Sequence, residues 1–323
     1  MTPRAGEPVE LGGRGLPATA LGLGGGPLGG LFTRVDDEQA EATVEAAWSA
    51  GIRLFDVAPL YGHGRSERIV GRVLARKPRD SYVLSTKVGR LLRRDEAGQP
   101  SPFADTEGVG PRLDFTAAGV VRSLDESLDR LGLASVDIAY IHDPDEHLDQ
   151  ALNEAWPALV KLRDEGVIRA IGVGTNSVET VCRFVRECDI DCALLANRLN
   201  LIDQTAATEA LPLCLERGVS VLIGGVFASG ILAAPNRDPF YEYDRAPADI
   251  RARVREFDRV CASHCVALRT VALLYPFRFK AVAAVLAGTR SPTELEEAVA
   301  ALETDVPEAL WADLERQGVL VHP

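Results

Sequence analysis

The feature that most constrains this chain is a pattern repeated eight times, in which a short apolar run is followed by a stretch with helical spacing and helix-end signals. In the first copy the apolar run 19–23 precedes Asp36, an N-cap candidate with Gln39 as its capping-box partner. Ala40, Val44 and Ala47 then form a helical stripe that Gly51 closes. Further strands are predicted at 52–55, 82–85, 136–141, 170–173, 192–195, 219–223 and 281–286. The intervening helices are predicted at 66–75, 116–131, 149–163, 178–186, 206–217, 250–265 and 292–301. Strict alternation calls for a parallel sheet covered by helices, and a count of eight with right-handed crossovers favours closure. The expected fold is therefore an α/β (β/α)8 TIM barrel. A short N-terminal β-hairpin over 9–17, turning at Gly12-Gly13, precedes it. No linker interrupts the repeats, so 1–323 reads as a single barrel domain.

Composition narrows the partners. Acidic residues outnumber basic ones 47 to 35, a net charge of −12 that repels phosphate backbones and argues against nucleic acid. No apolar run approaches the roughly 20 residues of a membrane span. The first eleven residues lack the apolar core of a signal peptide, so the expected location is cytoplasmic, with no membrane partner. All six cysteines are then expected to be reduced, buried and inert. Cys261, His264 and Cys265 stand close together, but no second cluster completes a ligand set, and no metal is expected. The pattern leaves open whether the barrel is a monomer or a homo-oligomer.

The chemistry collects at strand ends. Asp56 ends the second strand, Tyr61 follows in a loop, Lys87 ends the third strand and His142 the fourth. Consecutive strands are neighbours in a barrel, and polar groups at their C-terminal ends read as catalytic. A phenol titrates near pH 10, too high to release its proton easily, and a nearby ammonium is expected to lower it. Asp56 would hold Lys87, while His142 would donate a hydrogen bond to a substrate oxygen. Two stretches break the rhythm, 89–115 and 227–248. Both follow strands, so both lie on the face where a barrel carries its site.

The run Phe55-Asp56-Val57-Ala58-Pro59-Leu60-Tyr61-Gly62, followed by Gly64-Arg65-Ser66-Glu67, resembles the signature of the aldo-keto reductase family. Ser85-Thr86-Lys87 and Ile141-His142-Asp143 are similar to the family's lysine and histidine strands, in the same order along nearly the whole chain. The resemblance implies that Asp56, Tyr61, Lys87 and His142 are the catalytic four, with Tyr61 as general acid in reduction or base in oxidation. It implies a nicotinamide cofactor, NAD or NADP. Asn176 is the best match for the residue holding the carboxamide, while the usual amide of the sixth strand is replaced by Ala196 and the stacking aromatic of the seventh by Gly224. Gly225, Phe227, Ser229 and Gly230 resemble the loop over the pyrophosphate. Gly288, Thr289 and Arg290 lead into a helix start suited to a phosphate or ribose. Glu294, where many NADPH-preferring relatives carry an arginine, favours NAD, although Ser291-Pro292-Thr293-Glu294 is also a capping box.

Gly24-Gly25-Gly26-Pro27-Leu28-Gly29 satisfies G-x-G-x-x-G formally, but no helix starts inside it, so the glycines are expected to make a strand-end turn against cofactor or substrate. Segments 226–232 and 142–145 are most similar to the branch of L-fucose (D-threo-aldose) 1-dehydrogenases and pyridoxal 4-dehydrogenases. The resemblance implies oxidation of an aldose at C1 to the lactone, with Asp143 a candidate for binding sugar hydroxyls. The alternatives are a broad aldehyde or ketone reductase, a pyridoxal 4-dehydrogenase, and a cofactor-binding auxiliary subunit without turnover.

Overall fold

The structure, a computed structural model, describes residues 3–104, 106, 108–235, 240–317 and 320–321. Parts of both long loops (105, 107 and 236–239) thus lie outside the described residues. The chain opens with the antiparallel hairpin β1 (Pro8–Leu11) and β2 (Leu16–Thr19). The units that follow are β3 (Leu21–Gly24) with α1 (Asp37–Ser49), and β4 (Leu54–Asp56) with α2 (Arg65–Leu74). Strand β5 (Val83–Val88) leads through an antiparallel ribbon, β6 (Arg90–Arg93) and β7 (Gly110–Leu113), to α3 (Ala117–Leu131). Next come β8 (Ile138–His142) with α4 (Leu148–Gln150) and α5 (Trp156–Asp164), β9 (Ala170–Thr175) with α6 (Val178–Glu187), and β10 (Cys192–Ala196) with α7 (Ala210–Arg217). Strand β11 (Ser220–Gly224) is followed by the two-residue ribbon β12 (Phe240–Tyr241) and β13 (Asp244–Arg245), then by α8 (Ala248–Ser263) and α9 (Leu268–Leu274). Strand β14 (Val282–Gly288), α10 (Pro292–Leu302) and α11 (Glu308–Arg316) complete the described chain.

Eight parallel strands close in the order β3-β4-β5-β8-β9-β10-β11-β14, with β14 pairing back to β3. Both faces of these strands are covered, which is why they read as nearly continuous apolar runs. Leu54, Val83, Ile138, Tyr140, Leu194, Leu222 and Leu286 point into the barrel, where Leu11 and Leu16 of the hairpin join them. Alternate residues such as Phe55, Leu84, Ile141, Val173, Leu195 and Val285 pack under the helices. The hairpin seals the N-terminal end of the barrel: the Gly12 amide donates to Ser220 Oγ at 3.0 Å, just where β11 begins. The opposite end stays open to the long loops.

Three features depart from the sequence reading. Pro157 has no N–H to offer the carbonyl four residues back, and the helix expected over 149–163 is interrupted by a five-residue π turn, Ala151–Ala155. Helix α9 was not expected; its residues are buried on nearly every side, so it carries no amphipathic stripe, and α11 was also missed. The cysteines are free, but Cys265 is exposed and Cys188 half-buried, against the expectation that all six lie inside. His264, between Cys261 and Cys265, is instead paired with Asp313 at 2.7 Å. Among the described residues no single helix is long and apolar enough to cross a membrane.

Two carboxylates tie the N-terminal strand ends together. Asp137 accepts from the Leu84 amide at 2.9 Å and from Arg79 at 2.7 Å. Asp191 accepts from the Ile171 amide at 2.9 Å, from Arg163 at 2.8 Å and from Arg14 at 2.6 Å. Asp191 and Arg163 are largely buried, 4% and 11% exposed, so removing the carboxylate strands a buried N–H and a guanidinium. Asp191→Ala should therefore destabilise the fold by about 3 kcal/mol. Calorimetry should record a thermal midpoint several degrees lower, and an unchanged midpoint would refute the role given to this network.

Candidate active site

Asp56 is the last residue of β4, Lys87 the penultimate residue of β5 and His142 the last of β8. These three strands are consecutive neighbours, so closure alone brings the side chains to one mouth. Lys87 Nζ donates to Asp56 Oδ2 at 2.6 Å and to the Val57 carbonyl at 3.0 Å. Ser85 Oγ donates to Asp56 Oδ1 at 2.7 Å. The pair is almost wholly buried, 1% and 3% exposed. Burying two charges is tolerated only where further hydrogen bonds occupy their remaining donors and acceptors. Ser85 and Val57 supply those bonds here.

Tyr61 lies in the short connection after β4 and reaches the cleft because its loop is stapled from below. A Cβ on Gly29 would sit 2.6 Å from Gly62 N and from the Tyr61 carbonyl carbon, so only glycine admits this backbone contact. Ser66 Oγ donates to Gly25 O at 2.8 Å, and Arg65 donates to the carbonyls of Leu28 and Val35. Glu67, fully buried, accepts from Thr86 at 2.8 Å and from Arg130 at 2.6 Å. The Arg65-Ser66-Glu67 part of the motif thus braces the Tyr61 loop against β3, β5 and α3. The glycine-rich run divides its work: Gly24 and Gly26 line the cleft, as expected of a strand-end turn, whereas Gly25 faces the Ser66 hydroxyl and the Asp56 carbonyl, and Gly29 the Tyr61 and Gly62 backbone.

Lys87 Nζ stands 4.5 Å from the centroid of the Tyr61 ring. The His142 ring stands perpendicular to it at 6.1 Å. The expectation that Lys87 would lower the phenol's pKa is not met. Burial, reinforced by the carboxylates of Asp56 and Asp143 and by Tyr243, pushes the Tyr61 hydroxyl well above its ordinary value, with Arg90 opposing. The Lys87 charge is largely cancelled by Asp56 at 2.6 Å. A phenol shifted in this direction keeps its proton at neutral pH. His142 moves the other way: burial, with Arg90 and Lys87 nearby, holds its imidazole well below the usual value and therefore neutral.

These groups open into one cleft of about 910 Å³, within the range of small-molecule and cofactor pockets. Asn176, Gly225, Phe227, Ser229, Gly230, Gly288, Thr289, Arg290 and Glu294 all line the same cleft. Asn176 Oδ1 accepts from Asn197 Nδ2 at 3.0 Å, and Asn197 lies directly after Ala196. An amide side chain thus lines the cleft one residue beyond Ala196. No aromatic stands at Gly224, but Tyr243 lines the cleft with its hydroxyl 3.4 Å from Asn197 Nδ2. Ala228, Ser229 and Gly230 take left-handed backbone angles in the loop after β11. Such strain persists where the surroundings over-determine it and gathers at binding sites.

At the far end Glu294 serves two masters. Its amide donates to the Ser291 cap at 3.2 Å, while its carboxylate accepts from the Arg290 amide at 2.8 Å and from the guanidinium at 3.2 Å. The Arg269 guanidinium is paired with the Glu297 carboxylate. Thr289 Oγ1 is buried without a protein partner, as a group awaiting a ligand would be. An amide pair at one end, an orphan hydroxyl and a helix start at the other, and a strained loop between them fit an extended dinucleotide. Sequence reasoning passed over Arg90, Asn197, Tyr243, Arg269, Phe32 and Phe103. Arg269 stands on α9, a helix without an amphipathic period, and the others on a ribbon and loops that have none.

Comparison with known proteins agrees with this geometry. The model of the aldo/keto reductase family matches residues 20–317. The chain is 41% identical to D-threo-aldose 1-dehydrogenase of Pseudomonas sp. over 318 residues, 96% of this chain and 97% of that protein. It is 40% identical to pyridoxal 4-dehydrogenase of Microbacterium luteolum over 339 aligned positions, 98% of this chain and 99% of the other. The solved structure of a glycerol dehydrogenase from Gluconobacter oxydans superposes with a TM-score of 0.76 at 25% identity, covering 99% of this chain and 98% of that one. Aldo-keto reductases use nicotinamide cofactors. With the closed barrel, the strand-end groups and this family match in agreement, the chain belongs to the aldo/keto reductase family of oxidoreductases.

Proposed function

We propose that this enzyme is an aldose 1-dehydrogenase, oxidising a sugar such as L-fucose at C1 to the lactone, with Tyr61 as the proton-transfer group. The observation that carries the reading is the convergence of a phenol, a neutral imidazole and a buried Lys87–Asp56 pair at one mouth of the barrel. The 41% identity to a D-threo-aldose 1-dehydrogenase supports the substrate class. A bound nicotinamide would accept the hydride from the anomeric carbon and, when oxidised, would bring positive charge into the cleft. Asn176 and Asn197 would hold its carboxamide, the 225–230 loop its pyrophosphate, and Thr289 with Arg290 its adenosine end. Tyr61 takes the anomeric hydroxyl proton once it has become phenolate. His142, neutral, donates to the same oxygen and orients it. Lys87 keeps a cation over the phenol ring, and Asp56 keeps Lys87 in place.

A second reading, reduction of an aldehyde, is favoured by the burial that holds the proton on Tyr61. The 40% identity to a pyridoxal 4-dehydrogenase and the aromatic residues Phe32, Phe103 and Tyr243 in the cleft favour an aromatic substrate. The complete set of four groups argues against a turnover-free auxiliary role. NAD is the expected cofactor, because Arg290 and Arg269 are already neutralised by Glu294 and Glu297 and have little charge left for a 2′-phosphate.

Mixing the enzyme with L-fucose, D-arabinose or pyridoxal and either oxidised cofactor, and following reduced-nicotinamide absorbance, tests the assignment; aldoses should be the better substrates. Tyr61→Phe should cut turnover by about 10²- to 10⁴-fold with cofactor affinity unchanged, and full activity would remove Tyr61 from the mechanism. Because the competent base is the phenolate and burial raises its pKa, the oxidation rate should climb about tenfold per pH unit through the alkaline range. Reduction should hold steady through pH 6.5, since His142 stays neutral there. Glu294→Gln should improve NADP binding by about tenfold by freeing Arg290, measured by fluorescence titration; an unchanged preference would discard this account of cofactor choice.

A further inference from the structure

Asp143 directly follows His142 and holds a left-handed backbone angle, φ +43°. Its amide donates to Gly174 O at 2.9 Å, extending the β8–β9 pairing by one residue and fixing where the side chain leaves the backbone. Asp143 Oδ2 lies 3.0 Å from Arg90 Nη2 and 3.4 Å from His142 Nε2. Its other oxygen has no hydrogen-bond partner among the described residues, and the side chain lines the cleft. Arg90 approaches from β6 and is only 16% exposed. Burial pushes the Asp143 carboxyl up, and the Arg90 guanidinium opposes that shift.

His142 Nδ1 is buried and has no protein partner. A neutral imidazole carries one proton, and the other ring nitrogen presents a lone pair. A carboxylate beside Nε2 favours the proton there and would repel a lone pair. The geometry thus selects the tautomer that can donate into the cleft. Oxygens on adjacent carbons of a sugar are separated by about as much as His142 Nε2 and the Asp143 carboxylate. A substrate oxygen that accepts from His142 therefore places the neighbouring hydroxyl against Asp143.

We propose that Asp143 is a positioning and specificity-determining residue, which keeps His142 as an Nε2–H donor and accepts a hydrogen bond from the hydroxyl on the carbon next to the reacting one. It rests on the reading of Tyr61 and His142 as the groups at the reacting oxygen. The cleft then selects aldoses and α-hydroxy aldehydes over plain aldehydes, and Arg90 serves by holding the carboxylate in place.

The test compares kcat/KM for lactaldehyde and propionaldehyde, which differ by one hydroxyl, in the holoenzyme with reduced nicotinamide. The wild type should favour lactaldehyde by about tenfold or more, mainly through KM, the scale of one hydrogen bond to a charged group. Asp143→Asn keeps a residue type that tolerates positive φ. It should erase most of that preference, with cofactor Kd unchanged. Arg90→Met should shift the ratio in the same direction, and it carries the test should the first variant not fold. An unchanged ratio would overturn the specificity role, and an undiminished kcat for both aldehydes would overturn the role in positioning His142. A wild type that oxidises no aldose but keeps an Asp143-dependent hydroxyl preference would reject the aldose 1-dehydrogenase reading and leave this one standing. Aldose oxidation with a preference indifferent to Asp143 would do the reverse.

Discussion

The buried ion pair between Lys87 and Asp56 is the interaction on which the rest of this site depends. Either charge left alone in the barrel mouth would be strongly destabilising. The fold can hold them only because β4 and β5 are adjacent, in a register that pairs Asp56 with Ser85 and sets Lys87 two residues beyond. Once the pair is in place, it fixes a cation against the face of the Tyr61 ring and leaves little net charge to ionise the phenol. The site therefore rests in its protonated form. Its chemistry must come from what enters the cleft, not from a permanently activated side chain.

The barrel separates the two requirements of stability and reactivity. At the N-terminal end, the hairpin plugs the barrel with Leu11 and Leu16, and Asp137 and Asp191 satisfy strand amides and arginine side chains. At the C-terminal end, polar atoms such as Thr289 Oγ1 and His142 Nδ1 lack protein partners, and several non-glycine residues hold left-handed angles. Between the two ends runs the Arg65-Ser66-Glu67 segment. It belongs to the same motif as Tyr61, yet its side chains spend themselves on Gly25, Leu28, Thr86 and Arg130. The motif reads as one chemical unit in the sequence. In space it is a phenol that lines the cleft, followed by the scaffold that holds its loop.

The sequence by itself determined the architecture and the strand-end polar groups. Eight alternations of buried strand and amphipathic helix leave few ways to bury both faces of a parallel sheet, and Asp56, Lys87 and His142 fall at strand ends in any such arrangement. Local capping was legible at Asp36 and Ser291, which each accept from an amide three residues on, a contact made within one turn; Thr116 and Ser177, not singled out from the sequence, do the same. Helix α9 was not legible, because a helix buried all round has no polar face to give it a period.

Only the tertiary structure decided the electrostatics and the outer wall of the cleft. Whether Lys87 or burial governs Tyr61 depends on a distance of 2.6 Å between two side chains 31 residues apart and on the depth of the phenol, neither of which is encoded in spacing. Asn197 bonds Asn176 across 21 residues, Tyr243 arrives from a ribbon 46 residues further on, and Arg90 reaches Asp143 across 53 residues. These contacts join irregular segments. Their placement follows from packing against the finished barrel, since a loop without periodicity has no face of its own until the scaffold supplies one.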